Sequence, residues 1–535
     1  MRAIRKHYPL IVALVIFFLV LVIELLKALH KDEGHFIYAL DDIYIHMATA
    51  KNFAKYGVWG VHKYGFTSAT SSPLWTFLIA LTYIIFGVND FSPFILNIFL
   101  AVIIIVYLYQ LLKKYTTNQI FILFTLLAVI FFTPFVSVIF SGQEHLMQLL
   151  SVILFSFIST QIFISDEDNH KNYLLLFLTS AFVTSSRYEG AALILIVAVL
   201  FFIRKKFIDS AITILGGATP IVIYGLFSLS NGGYFLPNSV ILKGKTFLLL
   251  HSFRKFVMAV IKTIQKSPHI CVLISLALFI LATHLRKQST ILKDYIVLLI
   301  IFIGTSIAHL LFARVGSFFR YESYLIGFGL FAISIAFCDY ISNISLKLLR
   351  QNFPFYFTLA LLISWLSVPM LIRTLFSLKD TPQATKNIYE QQYHMGLFLR
   401  KFYQGSAVAA NDIGAIDYLA DIKCVDLYGL ASTKVASLKN SNKYTTDQIY
   451  KICKENNVKI AILYEKWYKD YGGLPPQWIK VGEWTIQRNI VCGGVTVSFY
   501  AVDTAETDNL INNLRKFAKF LPSDVIQSGK YTQNL

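Results

Sequence analysis

Long apolar stretches recur along the first 377 residues, most approaching the ~20 residues an α-helix needs to cross a bilayer. Inside lipid the backbone has no water to bond, so such stretches fold as helices packed against one another. Composition agrees: 56% hydrophobic residues, 15% charged residues and a mean hydropathy of +0.60 over 535 residues exclude a soluble globular chain. The net charge of +18 invites a nucleic-acid reading, which fails because the basic residues sit in short loops between apolar stretches. The sequence is that of an α-helical polytopic membrane protein.

The basic segment Met1 to His7 precedes an apolar run from Tyr8 to about Leu29. The run is long for a signal peptide and no small-x-small cleavage site follows, so it reads as a first transmembrane helix with its N-terminus inside. Leu74 to Phe86 is apolar but short, and the loops after it decide whether it crosses. If it dips in without crossing, spans fall near 92–112, 118–140, 145–165, 172–186, 189–203, 208–229, 268–285, 292–313, 322–343 and 354–376. Lys113-Lys114, Lys171, Arg204-Lys205-Lys206, Arg286-Lys287 and Lys347/Arg350 then all lie inside, as the positive-inside rule requires. About eleven transmembrane helices result, with the chain end outside. No internal repeat suggests a two-fold transporter.

The first outer loop, residues 30–72, holds the most unusual stretch, Ala39-Leu40-Asp41-Asp42-Ile43-Tyr44-Ile45-His46-Met47. Carboxylates are costly in lipid, so the pair belongs at a membrane–water boundary or in a wet cavity. Two readings stay open. Asp42 caps the helix that follows, with Asp41 complementing its dipole; or the pair deprotonates a hydroxyl or holds a divalent metal. From Asp42 to Tyr56 the pattern is that of a short interfacial helix. An ordered loop with His62, Trp59 and Trp75 follows. On the eleven-span topology the other polar clusters share the outer side. They are Ser141-Gly-Gln-Glu144-His145, Ser185-Ser-Arg187-Tyr-Glu189-Gly190, Leu236-Pro-Asn238 to Lys243-Gly-Lys245, and Arg314 to Arg320-Tyr321-Glu322. Each alone is an ordinary solvated loop end; together they suit a reaction on a lipid-borne anionic substrate.

Beyond about Leu378 the composition becomes that of a soluble α/β domain, residues 378–535. A helix is expected over Pro382–Tyr403, strands at Ala407–Ala410, Cys424–Leu427 and Val458–Tyr464, and a helix at Thr446–Asn456. Antiparallel strands at Ile479–Gln487 and Val495–Val502, a helix near Glu506–Phe520 and a ragged tail complete it. Asn411-Asp-Ile-Gly414 and Asp426 before Tyr428-Gly429 read as tight turns, lacking a phosphate-loop glycine pattern. Cys271, Cys338, Cys424, Cys453 and Cys492 have no zinc-site or redox spacing, leaving room for one disulfide among the last three. The one Asn-x-Ser sequon, Asn343-Ile-Ser345, falls inside, and an outer domain without an acceptor sequon points to a bacterial inner membrane.

The chain resembles a GT-C glycosyltransferase, a membrane enzyme using a polyprenyl-phosphate sugar, of the mannosyl-, arabinosyl- and aminoarabinosyltransferase kind. The resemblance rests on the N-in first helix, Asp41-Asp42-x-Tyr-Ile, Thr67-Ser…Ser72-Pro-Leu-Trp75, Gly142-Gln-Glu144, Arg187-Tyr-Glu189-Gly190, Leu236-Pro-Asn238, Arg320-Tyr321 and the C-terminal α/β domain. Tyr188 stands where proline is usual, and His46-Met47 stand where an arginine often follows the aspartates. The resemblance implies residues 1–377 as a GT-C-like module and an inverting sugar transfer on the outer face, to a cell-envelope glycan or lipid-linked acceptor. Asp42, or else Asp41, is then the general base. Arg320, Lys243 and Arg187 hold the donor phosphate. Glu144, Glu189, His62, Tyr321 and Asn238 bind substrate. Relatives differ over a divalent metal, for which Asp41 and Asp42 are the candidate ligands; no other cofactor is implied. The competing readings are a transporter or flippase for a lipid-linked saccharide and a non-catalytic envelope scaffold. A transporter calls for ionisable residues at mid-membrane depth and paired broken helices, whereas here the charges gather at one face.

Overall fold

The computed structural model describes residues 2–165, 170–243, 253–286, 293–341 and 353–533. The sequon Asn343–Ser345 and Lys245 lie outside them, as does the side chain of Lys243. The membrane module runs α1 (Arg2–Lys31), α2 (Asp42–Tyr56), α3 (Pro73–Phe86), α4 (Ser92–Tyr115), α5 (Gln119–Phe132), α6 (Phe135–Phe140), α7 (His145–Ile164) and α8 (His170–Ser186). It continues through α9 (Ala191–Ile203), α10 (Phe207–Ser230), α11 (Asn238–Lys243), α12 (Phe253–Gln265), α13 (Pro268–Arg286), α14 (Asp294–Phe312), α15 (Ser323–Ile341) and α16 (Phe353–Ile388). A helix occupies each of the eleven stretches read as spans. Six of the described helices are long and apolar enough to cross a membrane.

Helix α3 is short for a physical reason. Ser72 caps it, its hydroxyl accepting from Trp75 N at 3.3 Å, and Pro73 opens it. Its 14 residues reach about 21 Å, short of the ~30 Å hydrocarbon core. The stretch 118–140 is two helices, because Thr133-Pro134 breaks the ladder between α5 and α6. Helix α12 was not anticipated; its apolar Phe253, Met258 and Ile261 are exposed on a helix that also carries Arg254, Lys255 and Lys262, a pattern suited to lying in the interface.

The change of composition near Leu378 falls inside α16 rather than between helices. At 36 residues α16 is about 54 Å long and carries the chain without interruption into the soluble domain. One wide turn at Tyr389–Tyr393 separates it from α17 (His394–Phe402). A six-stranded sheet follows: β1 (Ala407–Ala410), β2 (Lys423–Asp426), β3 (Ile460–Leu463), β4 (Ile479–Thr485), β5 (Thr496–Ala501) and β6 (Ile526–Gly529), in the order β2-β1-β3-β5-β4-β6. The first three strands pair in parallel and the rest antiparallel. Strand β6, laid against β4 in register Thr485–Ile526 to Gly482–Gly529, occupies what reads in sequence as a ragged tail. Helices α18 (Gly414–Leu419), α19 (Thr433–Asn440), α20 (Thr446–Glu455) and α21 (Thr507–Ala518) complete the domain. Asp426 accepts from Tyr428 N, Gly429 N and Ala431 N at 2.7, 3.0 and 2.6 Å, which is the tight turn expected there. All five cysteines are free thiols, so the disulfide allowed for among Cys424, Cys453 and Cys492 does not form.

Candidate active site

Asp42 is the first residue of α2, and helical geometry puts His46, four residues on, on the same face. That face borders a cavity of about 290 Å³ whose lining includes Asp42, His46, Ser71, Gln143, Arg187, Glu189, His309, Arg314 and Tyr321. Arg320 reaches Asp42 Oδ2 with Nη2 and Gln143 Oε1 with Nη1. The Arg320 side chain is 3% exposed, whereas the Asp42 carboxylate is 30% exposed and open to the cavity.

The loop that delivers Arg320 is a left-handed turn. Gly316, Ser317, Phe318 and Phe319 have φ of +81°, +48°, +61° and +61°. For an L-residue that conformation costs roughly 1–2 kcal/mol, so the surroundings must hold it. Glu322 does so from the C-terminal side. Its Oε2 accepts from Gly316 N at 2.7 Å, and its Oε1 pairs with Arg373 Nη1 of α16 at 2.5 Å. Arg373 also donates to the Phe319 carbonyl, and Arg320 Nη2 to Ser317 Oγ at 3.1 Å.

A second guanidinium lies alongside. Arg187 pairs with Glu144 Oε1 at 2.5 Å and grips Glu189 with two bonds, Nε to Oε2 at 3.1 Å and Nη2 to Oε1 at 2.9 Å. Both guanidiniums face the Tyr321 ring, Arg187 at 5.5 Å and Arg320 at 4.9 Å from its centroid. Ser71 Oγ donates to Glu144 Oε1 at 3.1 Å. His46 Nδ1 lies 2.7 Å from Thr76 Oγ1, and its Nε2 lies 3.8 Å from Glu144 Oε2. Burial holds the His46 imidazole below its usual pKa, against the pull of Glu144. Arg314, at the exposed edge, makes no ion pair among the described residues.

The structure thus brings Asp42, Arg320, Arg187, Glu144, Glu189 and Tyr321 together. It places three other sequence candidates elsewhere. Asp41 turns its buried carboxylate away from the cavity, accepting from Gly414 N and Ala415 N of the soluble domain at 2.7 Å each. It stands at the N-cap position of α2 yet makes no cap bond to that helix. Burial and the nearby Asp412 raise the Asp41 pKa. Asn238 is fully buried; its N–H donates to Ser68 O and its Nδ2 to Leu430 O of the soluble domain, at 3.0 and 3.1 Å. His62 sits in the loop 5.9 Å from the Tyr64 ring. Lys243 ends α11, beside the cavity wall made by Ser239 and Val240. A divalent metal does not fit the aspartate pair: one carboxylate is taken by backbone N–H groups, the other by a guanidinium. Among the described residues no three His, Cys, Asp or Glu side chains converge on a metal position.

Among the lining residues, Ser71, His309 and Leu430 have no mark in the sequence reading, while His46, Gln143 and Arg314 stand inside its polar stretches without an assigned role. His309 sits in an apolar span, where its bonds to Tyr324 OH (3.1 Å) and the Arg314 carbonyl (3.0 Å) are invisible to local pattern. The spacing of His46 from Asp42 was available as a signal, being one helical turn.

Residues 70–227 match the family described as dolichyl-phosphate-mannose-protein mannosyltransferase, and residues 386–500 match a domain of unknown function (DUF8728). No curated protein matches the chain in sequence. In three dimensions, 93% of the chain superposes on 99% of ArnT from Cupriavidus metallidurans bound to undecaprenyl phosphate, with a TM-score of 0.53 and 9% identity. For the same protein in the apo state the figures are 92%, 98%, 0.52 and 10%. At such identity the likeness is one of fold. The chain has the GT-C fold of an integral membrane protein, with a sheet-containing domain at its C-terminal end.

Proposed function

We propose that the protein is a glycosyltransferase that moves a sugar from a polyprenyl-phosphate donor to a hydroxyl of a cell-envelope glycan or lipid-linked acceptor, with inversion. The observation that carries this is the Asp42–Arg320 pair: a carboxylate open to a cavity, next to a guanidinium held by a strained turn. The mannosyltransferase family match over 70–227 and the fold shared with an undecaprenyl-phosphate-binding protein support the donor class.

In this reading Asp42 takes the proton of the acceptor hydroxyl as its oxygen attacks the anomeric carbon. The bond from that carbon to the phosphate oxygen breaks on the opposite side, and the phosphate leaves with the electron pair. Arg320 and Arg314 receive the departing charge, with Lys243 as a further candidate. Arg187 is committed to Glu144 and Glu189; it orders Glu189 at the cavity wall as an acceptor for sugar hydroxyls, while Tyr321 covers both guanidiniums. The C-terminus and the polar clusters lie on the outer face, consistent with the basic inside loops.

The deciding experiment is transfer from polyprenyl-phosphate sugars by the full chain in nanodiscs, with the donor chosen by which lipid-linked sugar accumulates in a deletion strain. Product formed by wild type and lost in Asp42→Asn supports the reading. Absence of transfer from every accumulating donor sinks it.

A further inference from the structure

We infer that the C-terminal domain positions the general base, and that Asp41 is the residue through which it does so. The inference rests on the reading of Asp42 as base and assigns a role to the soluble domain.

Helix α2 lies between the cavity and α18 of the soluble domain. At about 100° per residue, Tyr44 and Lys51 sit roughly 160–180° around α2 from Asp42, while His46 sits within about 40° of it. The cavity face carries Asp42 and His46. The opposite face is fastened to α18 at both ends. Asp41 takes Gly414 N and Ala415 N at 2.7 Å at one end. At the other, Lys51 Nζ donates to the carbonyls of Asp417 at 3.0 Å and Tyr418 at 2.5 Å. The Tyr44 and Tyr418 rings meet between them, 5.8 Å apart, and Tyr418 OH donates to Asp90 Oδ1 at 2.7 Å.

The Asp41 end has no slack. A Cβ placed on Gly414 would lie 2.1 Å from the Asp41 carbonyl oxygen and 2.6 Å from its Oδ2. Only glycine lets the two backbones approach this closely. The Cα of Asp42 is one peptide away, about 3.8 Å from that of Asp41. A fixed Asp41 therefore fixes the origin of the Asp42 side chain against the cavity. The same domain also supplies Leu430 to the cavity wall, tied to Asn238. The domain thus closes the site and sets its carboxylate. It touches no reacting atom through Asp41, which is a positioning residue.

The test compares the full chain in nanodiscs with Asp41→Asn, Gly414→Ala and Lys51→Met, reading kcat, donor KM and thermal midpoint. In Asp41→Asn an amide N–H₂ replaces one carboxylate oxygen and faces a peptide N–H, so one of the two bonds is lost and the fit loosens. We expect kcat to fall about tenfold or more with donor KM held within about threefold, because misplacement of a reacting group acts on the chemical step. Lys51→Met, which leaves Asp41 and Gly414 untouched and so provides an independent readout should either of those variants misfold, is expected to lower kcat in the same manner by a smaller factor. Lys63→Ala, which removes only the exposed bridge to Asp421 (2.5 Å), is expected to match wild type. Wild-type kcat in both Asp41→Asn and Lys51→Met overturns the inference, as does a loss in which kcat, KM and midpoint all move together. A wild type that transfers no sugar instead removes the underlying reading of Asp42.

Discussion

Arg320, itself buried, holds the cavity-facing carboxylate of Asp42 in an ion pair between residues 278 positions apart in the chain. The carboxylate read as base is thus engaged by the cation read as phosphate clamp. In the proposed reaction the donor phosphate would compete with Asp42 for this guanidinium.

Asp42→Asn keeps size and cannot accept the proton. Transfer should fall about 10²-fold or more while expression and thermal midpoint stay near wild type. Turnover of polyprenyl-phosphate sugar in nanodiscs checks this; wild-type turnover would remove Asp42 from the chemistry.

Arg320→Lys keeps the charge but loses the fork that reaches Asp42 and Gln143 together. Donor KM should rise or rate fall, and Arg320→Ala should be worse, by a few kcal/mol of transition-state stabilisation at most. Steady-state kinetics over a donor series reads both. Unchanged turnover in Arg320→Ala excludes this residue from the clamp.

Arg373→Met leaves Glu322 buried without its guanidinium. Breaking a buried pair from one side typically costs about 3–5 kcal/mol, so the thermal midpoint should drop clearly. The double variant with Glu322→Gln should recover part of the loss. An unchanged midpoint in the single variant would show that the left-handed turn is held by something else.

Asp32, at the foot of α1, is fully buried beside Thr385, Glu390, Lys31 and Lys386. Burial first, with Glu390 adding to it, pushes its pKa up to about 8 from an ordinary 3.8. The folded state binds this proton more tightly than the unfolded chain. Its contribution to stability is therefore complete below about pH 4 and lost progressively as the pH rises through about 8. Asp32→Asn cannot ionise, so its midpoint should gain on wild type between pH 6 and pH 9. Parallel pH profiles of the two midpoints would refute this.

A reporter fused after Leu535 and one inserted at Ser289 should read opposite sides of the membrane, the tail outside and the Arg286-Lys287 loop inside. Both on one side would separate the polar clusters and undo the site.

Much of the architecture was legible because membrane helices announce themselves by length and apolarity, and because strand–turn–helix punctuation in the soluble domain is local. Strand β6 escaped notice because Ile526–Gly529 is short and takes its meaning from β4, some forty residues earlier. The continuity of α16 escaped because Pro382 looks like a start, yet a long helix accommodates it. In the site, Asp42 and Arg320 stand out as ionisable residues beside lipid-length apolar runs. Asp41 stood out equally and went elsewhere. Two adjacent carboxylates at a helix start must point in different directions, which sequence already implies; only the fold says that Asp42 faces the cavity and Asp41 meets Gly414. His309 and Arg373 lie in apolar helices, where a single polar residue has no periodic context to mark its partner.

The contact between Asp41 and Gly414 also bears on inheritance and engineering. A carboxylate on one side and a missing side chain on the other form a lock whose halves are coded 373 residues apart. A chimera that grafts another soluble domain onto this membrane half must bring a glycine to position 414, because a Cβ there meets the residue-41 backbone carbonyl at 2.1 Å whatever side chain stands at position 41. A side chain at position 414 leaves a collision, and loss of the carboxylate at position 41 leaves the Gly414 and Ala415 N–H groups without their acceptor, so a swap of either half must respect both.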